Sequence, residues 1–117
     1  MTESIHILFA AWGDPTPEGR VAKTDAAIGP EFYYSDPSIP APIEGRGAYL
    51  DHIAQFSAKM PGAEAKVVAV SEHHGHARAT VDFLKDGTRM ARGQYFADLQ
   101  DGKVVRLIGF TGMGEPA

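Results

Sequence analysis

Three dipeptides, His74-Gly75, Asp86-Gly87 and Asp101-Gly102, punctuate the second half of the chain at nearly even spacing. Asp-Gly between alternating residues is the signal of a two-residue hairpin, because both turn positions need the left-handed backbone that Asp tolerates and Gly adopts freely; His74-Gly75 carries the same signal more weakly. Between the turns, polar and apolar residues alternate, which places strands near residues 65–73, 76–84, 89–99 and 103–111. A chain that reverses three times in this way builds an antiparallel meander and excludes a helical bundle or a parallel α/β sheet.

Before Glu64 the period is that of a helix. Ile5, Leu8, Phe9 and Trp12 share one stripe of a first helix over residues 2–13, ended by Gly13 and Asp14-Pro15. Thr16 before Pro17 is an N-cap signal for a second helix, whose weaker face is Val21, Ala22 and Ile28, with Gly29-Pro30 as its stop. A short aromatic strand follows over residues 32–35. Pro37, Pro40 and Pro42 then make 36–47 a loop without regular pairing. A third helix starts near Arg46 with Tyr49, His52, Ile53, Phe56 and Met60 on one stripe, closed by Met60-Pro61-Gly62. The sequence of 117 residues suits one domain with one core, spanning 1–117, and 112–117 is expected to fray.

Charge and composition remove several function classes. A net charge of −4 is the wrong sign for tracking nucleic-acid phosphates. No apolar run reaches the length of a membrane span. The chain has no cysteine, so no thiolate nucleophile or cysteine metal site can form. The first residues, MTESIHILF, lack a basic segment followed by a long apolar one, and the expected location is the cytoplasm.

Counting back from the two Asp-Gly turns gives a register in which Val81 lies by Arg92 and Thr111, Ala79 by Gln94 and Gly109, and Ala77 by Phe96 and Leu107. That face, with Val68, Val70, Phe83, Met90 and Val105, is the more apolar and is assigned to the helices. The other carries Arg78, Thr80, Asp82, Tyr95, Leu99, Val104, Arg106, Ile108 and Phe110. Large apolar groups on an open sheet face mark a dimer interface. A single β-bulge would exchange the faces over part of the sheet. Arg92, a charge on the assigned core face, either meets Glu72 or an anionic substrate group at a pocket mouth or shows that the register slips.

Asp36 is the first candidate for chemistry. It ends the aromatic strand beside Phe32, Tyr33 and Tyr34 under the proline loop, where a carboxylate can serve as a general base; the plain alternative is an aspartate capping its own turn. His52 sits on or beside a buried helical stripe, as a core histidine or as an acid and orienting group. Trp12, Tyr33, Tyr34 and Phe56 are core residues that could equally wall a cavity. His73, His74 and His76 raise a metal hypothesis, which their spacing opposes: strand neighbours face opposite ways and the chain turns at Gly75. No metal site is expected.

The order of these elements, with Trp12, YYSDP at 33–37, EGRGAYLDHI at 44–53, MPG at 60–62 and DGKVVRLIGF at 101–110, resembles the nuclear transport factor 2-like superfamily, specifically its SnoaL-like polyketide cyclase and ketosteroid isomerase relatives. The resemblance implies an α+β cone, a curved antiparallel sheet wrapped around three N-terminal helices with an internal pocket, often dimeric through the outer sheet face. It also implies that Asp36 matches the isomerase's general base and that Gln94 falls at the place of its acidic hydrogen-bond donor, where an amide donates more weakly. The isomerase's tyrosine on the first helix has no match; His6 is nearest.

Together these readings give an expected enzyme that works without a cofactor on a small hydrophobic carbonyl compound by proton transfer, as an isomerase or cyclase. Asp36, His52 and Gln94 would act, and Trp12, Tyr33, Tyr34, Phe56 and Arg92 would line the pocket. The rivals are a non-catalytic ligand-binding module, a dimerisation module with a filled core, and a hydrolase with aspartates around an arginine, for which Arg78 and Asp82 are the only close pair in the expected register.

Overall fold

The apolar stripes expected for the first and third helices become buried faces of the fold; that of the second does not. In the computed structural model, which describes residues 2–112, α1 (Glu3–Trp12) buries Ile5, Leu8, Phe9 and Trp12. α2 (Pro17–Ala27) starts where Thr16 accepts a hydrogen bond from the Gly19 amide, but its buried face is Thr24 and Ala27; Val21 is exposed and Ile28 begins the next strand. α3 (Arg46–Lys59) buries Tyr49 and Ile53 fully and leaves His52 and Phe56 half-buried at its edge. Residues 113–117, most of the segment expected to fray, lie outside the described residues.

The strands are β1 (Ile28–Ser35), β2 (Ile43–Glu44), β3 (Ala63–His73), β4 (His76–Lys85), β5 (Thr88–Gln100) and β6 (Lys103–Thr111). They form one curved, open sheet in the order β2-β1-β6-β5-β4-β3. The three expected hairpins are present: His74, Asp86 and Asp101 have φ of 52°, 53° and 53°, each followed by a glycine with positive φ, the backbone of type I′ turns. Two differences concern the aromatic strand. β1 begins earlier and runs parallel to β6, so the sheet is mixed. The proline loop also pairs briefly, Ile43 and Glu44 lying opposite Tyr34 and Tyr33, because Pro42 precedes the paired residues.

The expected register slips by one, at bulges. Met90 is an extra residue on β5, Val105 on β6 and Val68 on β3. Val81 therefore faces Gly93, Ala79 faces Tyr95, and Ala77 faces Ala97, with Tyr95 opposite Gly109 and Ala97 opposite Leu107. The helices cover Ala77, Ala79, Val81, Tyr95, Ala97, Val104 and Leu107, all buried. Val68, Met90 and Phe96, expected inside, are exposed. Tyr95 and Val104, expected outside, are core.

Candidate active site

The curvature of the sheet and the edges of α1 and α3 leave a cavity of about 600 Å³. Trp12 forms part of its wall, 4% exposed, held by an indole Nε1–H donated to the Tyr49 hydroxyl at 2.8 Å. Its ring meets His52 edge-on at 5.6 Å and Phe56 at 5.2 Å between centroids. Phe83, Met90 and Ile39 extend the apolar surface. Aromatic rings supply this much apolar wall with little rotamer freedom to lose.

Asp36 reaches the cavity because β1 ends there and the loop turns over it. Its Oδ1 accepts the Ser38 amide at 2.7 Å and the Ser38 hydroxyl at 2.5 Å, the self-capping arrangement of an Asx turn. Its Oδ2 accepts the Tyr34 hydroxyl, which stands two residues earlier on the same face of β1, and lies 3.9 Å from His52 Nε2. Three of roughly four lone-pair positions of a carboxylate are thus used. The remaining one is on Oδ2, the oxygen beside His52. The plain reading is realised, and the same residue also faces the cavity: Asp36 caps its turn and lines the wall.

His52 is held below the ordinary imidazole pKa by burial, partly offset by the Asp36 charge and reinforced by the Lys59 charge, so it is neutral at pH 7. The unfolded chain takes up a proton near pH 6.5, while folded His52 does so only at lower pH. Stability is therefore lost as pH falls below about 6.5 and until folded His52 itself titrates. Proton NMR of the ring is expected to show a midpoint below 6.5 in wild type and a still lower one in Asp36→Asn, which lacks the favourable charge. A midpoint that rose in the variant would show that Asp36 does not act on His52.

The register slip decides which donor enters the cavity. Gln94 faces outward, paired with Thr80 and Phe110, and is not among the lining residues. Tyr95 is there instead, 6% exposed. Burial pushes its phenol up to about 12, with the Tyr34 hydroxyl opposing and the Asp36 charge adding, so it stays a neutral donor. Tyr34, its own phenol pushed far up by burial, donates its proton to Asp36. The signal for Tyr95 was in the sequence as two glycines. Gly93 lies two positions before Tyr95, and Gly109 faces it across the strand pair, where a glycine admits an aromatic ring lying over the backbone.

Trp12, Phe56 and Arg92 line the cavity, and Tyr33 and Tyr34 do not. Tyr34 stands behind Asp36, fully buried, and Tyr33 points away with the Arg106 guanidinium over its ring at 4.6 Å. Arg92 contributes to the wall at the bulge, and its guanidinium donates to Asp82, Nε at 2.6 Å and the terminal nitrogen at 3.0 Å; the register does slip, and the partner is Asp82 rather than Glu72. Asp82 thus pairs with Arg92 rather than Arg78, and among the described residues lining the cavity Asp36 is the one aspartate. His6 is exposed and lies on a separate groove with Asp14 and Glu64. At the first hairpin, His73 and His74 bring their Nδ1 atoms within 3.2 Å, and His76 pairs with Asp98 at 2.7 Å. Among the described residues no three His, Cys, Asp or Glu side chains are grouped to hold a metal ion, and none of the helices is long and apolar enough to cross a membrane.

Several solved structures share this architecture. A SnoaL-like family protein from Agrobacterium tumefaciens matches over 97% of this chain and 100% of its own, with a TM-score of 0.82 and 24% identity. A SnoaL-like protein from Jannaschia sp. CCS1 matches over 94% and 83%, with a TM-score of 0.75 and 19% identity. A de novo designed protein with a curved β-sheet also matches, over 94% and 83%, with a TM-score of 0.72 and 13% identity, so the architecture alone carries no activity. No curated protein matches the chain. The SnoaL-like domain family matches residues 7–107, and the chain belongs to that family.

Proposed function

We propose that the cavity catalyses proton transfer on a hydrophobic carbonyl compound, an isomerase- or cyclase-type reaction carried by groups of the chain itself. The observation that carries the reading is the free position on Asp36 Oδ2, beside neutral His52 and within a largely apolar cavity that also holds the Tyr95 phenol. Asp36 removes a proton from the carbon next to the carbonyl, and the electron pair moves to the carbonyl oxygen. Tyr95 donates to that developing enolate oxygen. The proton then returns to a different carbon, which isomerises the compound, or the enolate carbon attacks a second carbonyl in the same molecule, closing a ring, and the alkoxide so formed takes the proton from Asp36.

The test is proton NMR in deuterium oxide with a panel of enolisable apolar ketones. Enzyme-dependent loss of α-hydrogen signal is the expected result. If none of the panel exchanges faster than in buffer, the reading fails, and the non-catalytic ligand-binding reading replaces it. One observation favours that second reading: three of the acceptor positions on Asp36 are already occupied by Tyr34 and Ser38. The filled-core reading is opposed by the cavity itself.

We also propose that a second copy covers the outer sheet face. Phe96 and Phe110, 44% and 55% exposed, meet edge-on at 5.8 Å there beside Ile108, and such a pair is costly to leave in water. Phe96→Asp is expected to convert a dimer to a monomer in analytical ultracentrifugation. A wild-type monomer at micromolar concentration would remove this reading.

A further inference from the structure

The charged groups on the cavity wall are committed to different degrees. Asp36 holds Tyr34 and Ser38 and faces His52. The Arg92 guanidinium is taken by both carboxylate oxygens of Asp82. Lys59 lines the same cavity yet has no hydrogen-bond or ion-pair partner among the described residues, and its charge is close enough to act on His52. A lysine in the last turn of a helix complements the helix dipole, but that role does not require it to face the cavity. Phe56, Phe83 and Met90 add apolar wall to the same cavity. The chain as a whole is acidic, at −4, so the Lys59 cation is a local exception for an approaching anion.

We propose that the ligand is a carbonyl compound with an apolar middle and a carboxylate at its far end, and that Lys59 binds the carboxylate. This rests on the proton-transfer reading for the position of the carbonyl. Specificity then has two parts, since the aromatic wall accepts the body and Lys59 selects the charged end over a neutral one.

The test uses 4-benzoylbutanoate and its methyl ester, which differ at the far end in charge and in one methyl group. Binding is followed by quenching of Trp12, the single tryptophan, at low ionic strength. Lys59 is exposed at the cavity, so wild type is expected to bind the acid up to about fivefold more tightly than the ester, the upper end for an exposed ion pair. Lys59→Gln is expected to bring the ratio to about one and Lys59→Arg to keep it. Equal binding of acid and ester by wild type, binding of neither, or an unchanged ratio in Lys59→Gln overturns the proposal. Because this readout is binding, it is decided even if neither compound exchanges its α-hydrogens; absence of exchange counts only against the proton-transfer reading.

Discussion

Replacing Asp36 by Asn is expected to slow enzyme-dependent α-proton exchange by about 10²- to 10⁴-fold, the usual contribution of a positioned general base. The amide keeps the size of the carboxylate, and its oxygen can still accept from the Ser38 amide and hydroxyl, so the turn survives. What it loses is the acceptor at the other position: an amide NH₂ cannot take the Tyr34 proton or a substrate proton. His52→Gln separates the two partners. If Asp36 is the base, His52→Gln retains most of the exchange and changes mainly its pH dependence, because His52 lies 3.9 Å from the carboxylate and acts on its field. If His52 is the base, the order of the two losses reverses. Full exchange in Asp36→Asn, with an unchanged thermal midpoint, would sink the carboxylate mechanism.

The sequence was informative wherever a rule acts locally. Thr16-Pro17 caps α2 because the cap bond spans three residues, and Asp86-Gly87 and Asp101-Gly102 turn because the backbone conformation is set by the two residues themselves. The stripes of α1 and α3 were legible because helical period repeats without outside help. Asp36 was legible for the same reason, since its turn and its strand end are both local.

The errors have a common origin in contacts distant along the chain. A bulge such as that at Met90 has no residue signature, and counting back from a turn carries one unnoticed extra residue through the rest of the strand. One inserted residue moved Gln94 out of the cavity and Tyr95 into it. Arg92 on a core face was the visible symptom, because an unpaired guanidinium among apolar groups is too costly to persist. Likewise, alternation required Tyr33 and Tyr34 to face opposite ways, but which of them faced inward depended on the parallel pairing of β1 with β6.

That dependence on packing makes Gly109 the sharpest probe of the site. A methyl group at Gly109 would meet the Tyr95 ring, with Cδ2 and Cζ only 2.9 Å away and Cε2 closer still. No Cβ tolerates such contact, and the neighbours on the same face, Phe9 at 4.9 Å and Phe83 at 6.3 Å between centroids, leave the ring little room to retreat. Gly109→Ala is therefore expected to displace the phenol and lower exchange about 10²- to 10³-fold, the loss typical of removing one oxyanion donor. Tyr95→Phe should lose a similar factor by removing the hydroxyl alone. In the double variant the losses should not multiply, since both act through one hydroxyl. Stability supplies an independent check: Gly109→Ala should destabilise wild type but not a Tyr95→Ala background, where the struck ring is absent. Multiplying losses, or equal destabilisation in both backgrounds, would mean that Gly109 serves the strand and not the tyrosine, and that Tyr95 is not the donor to the enolate.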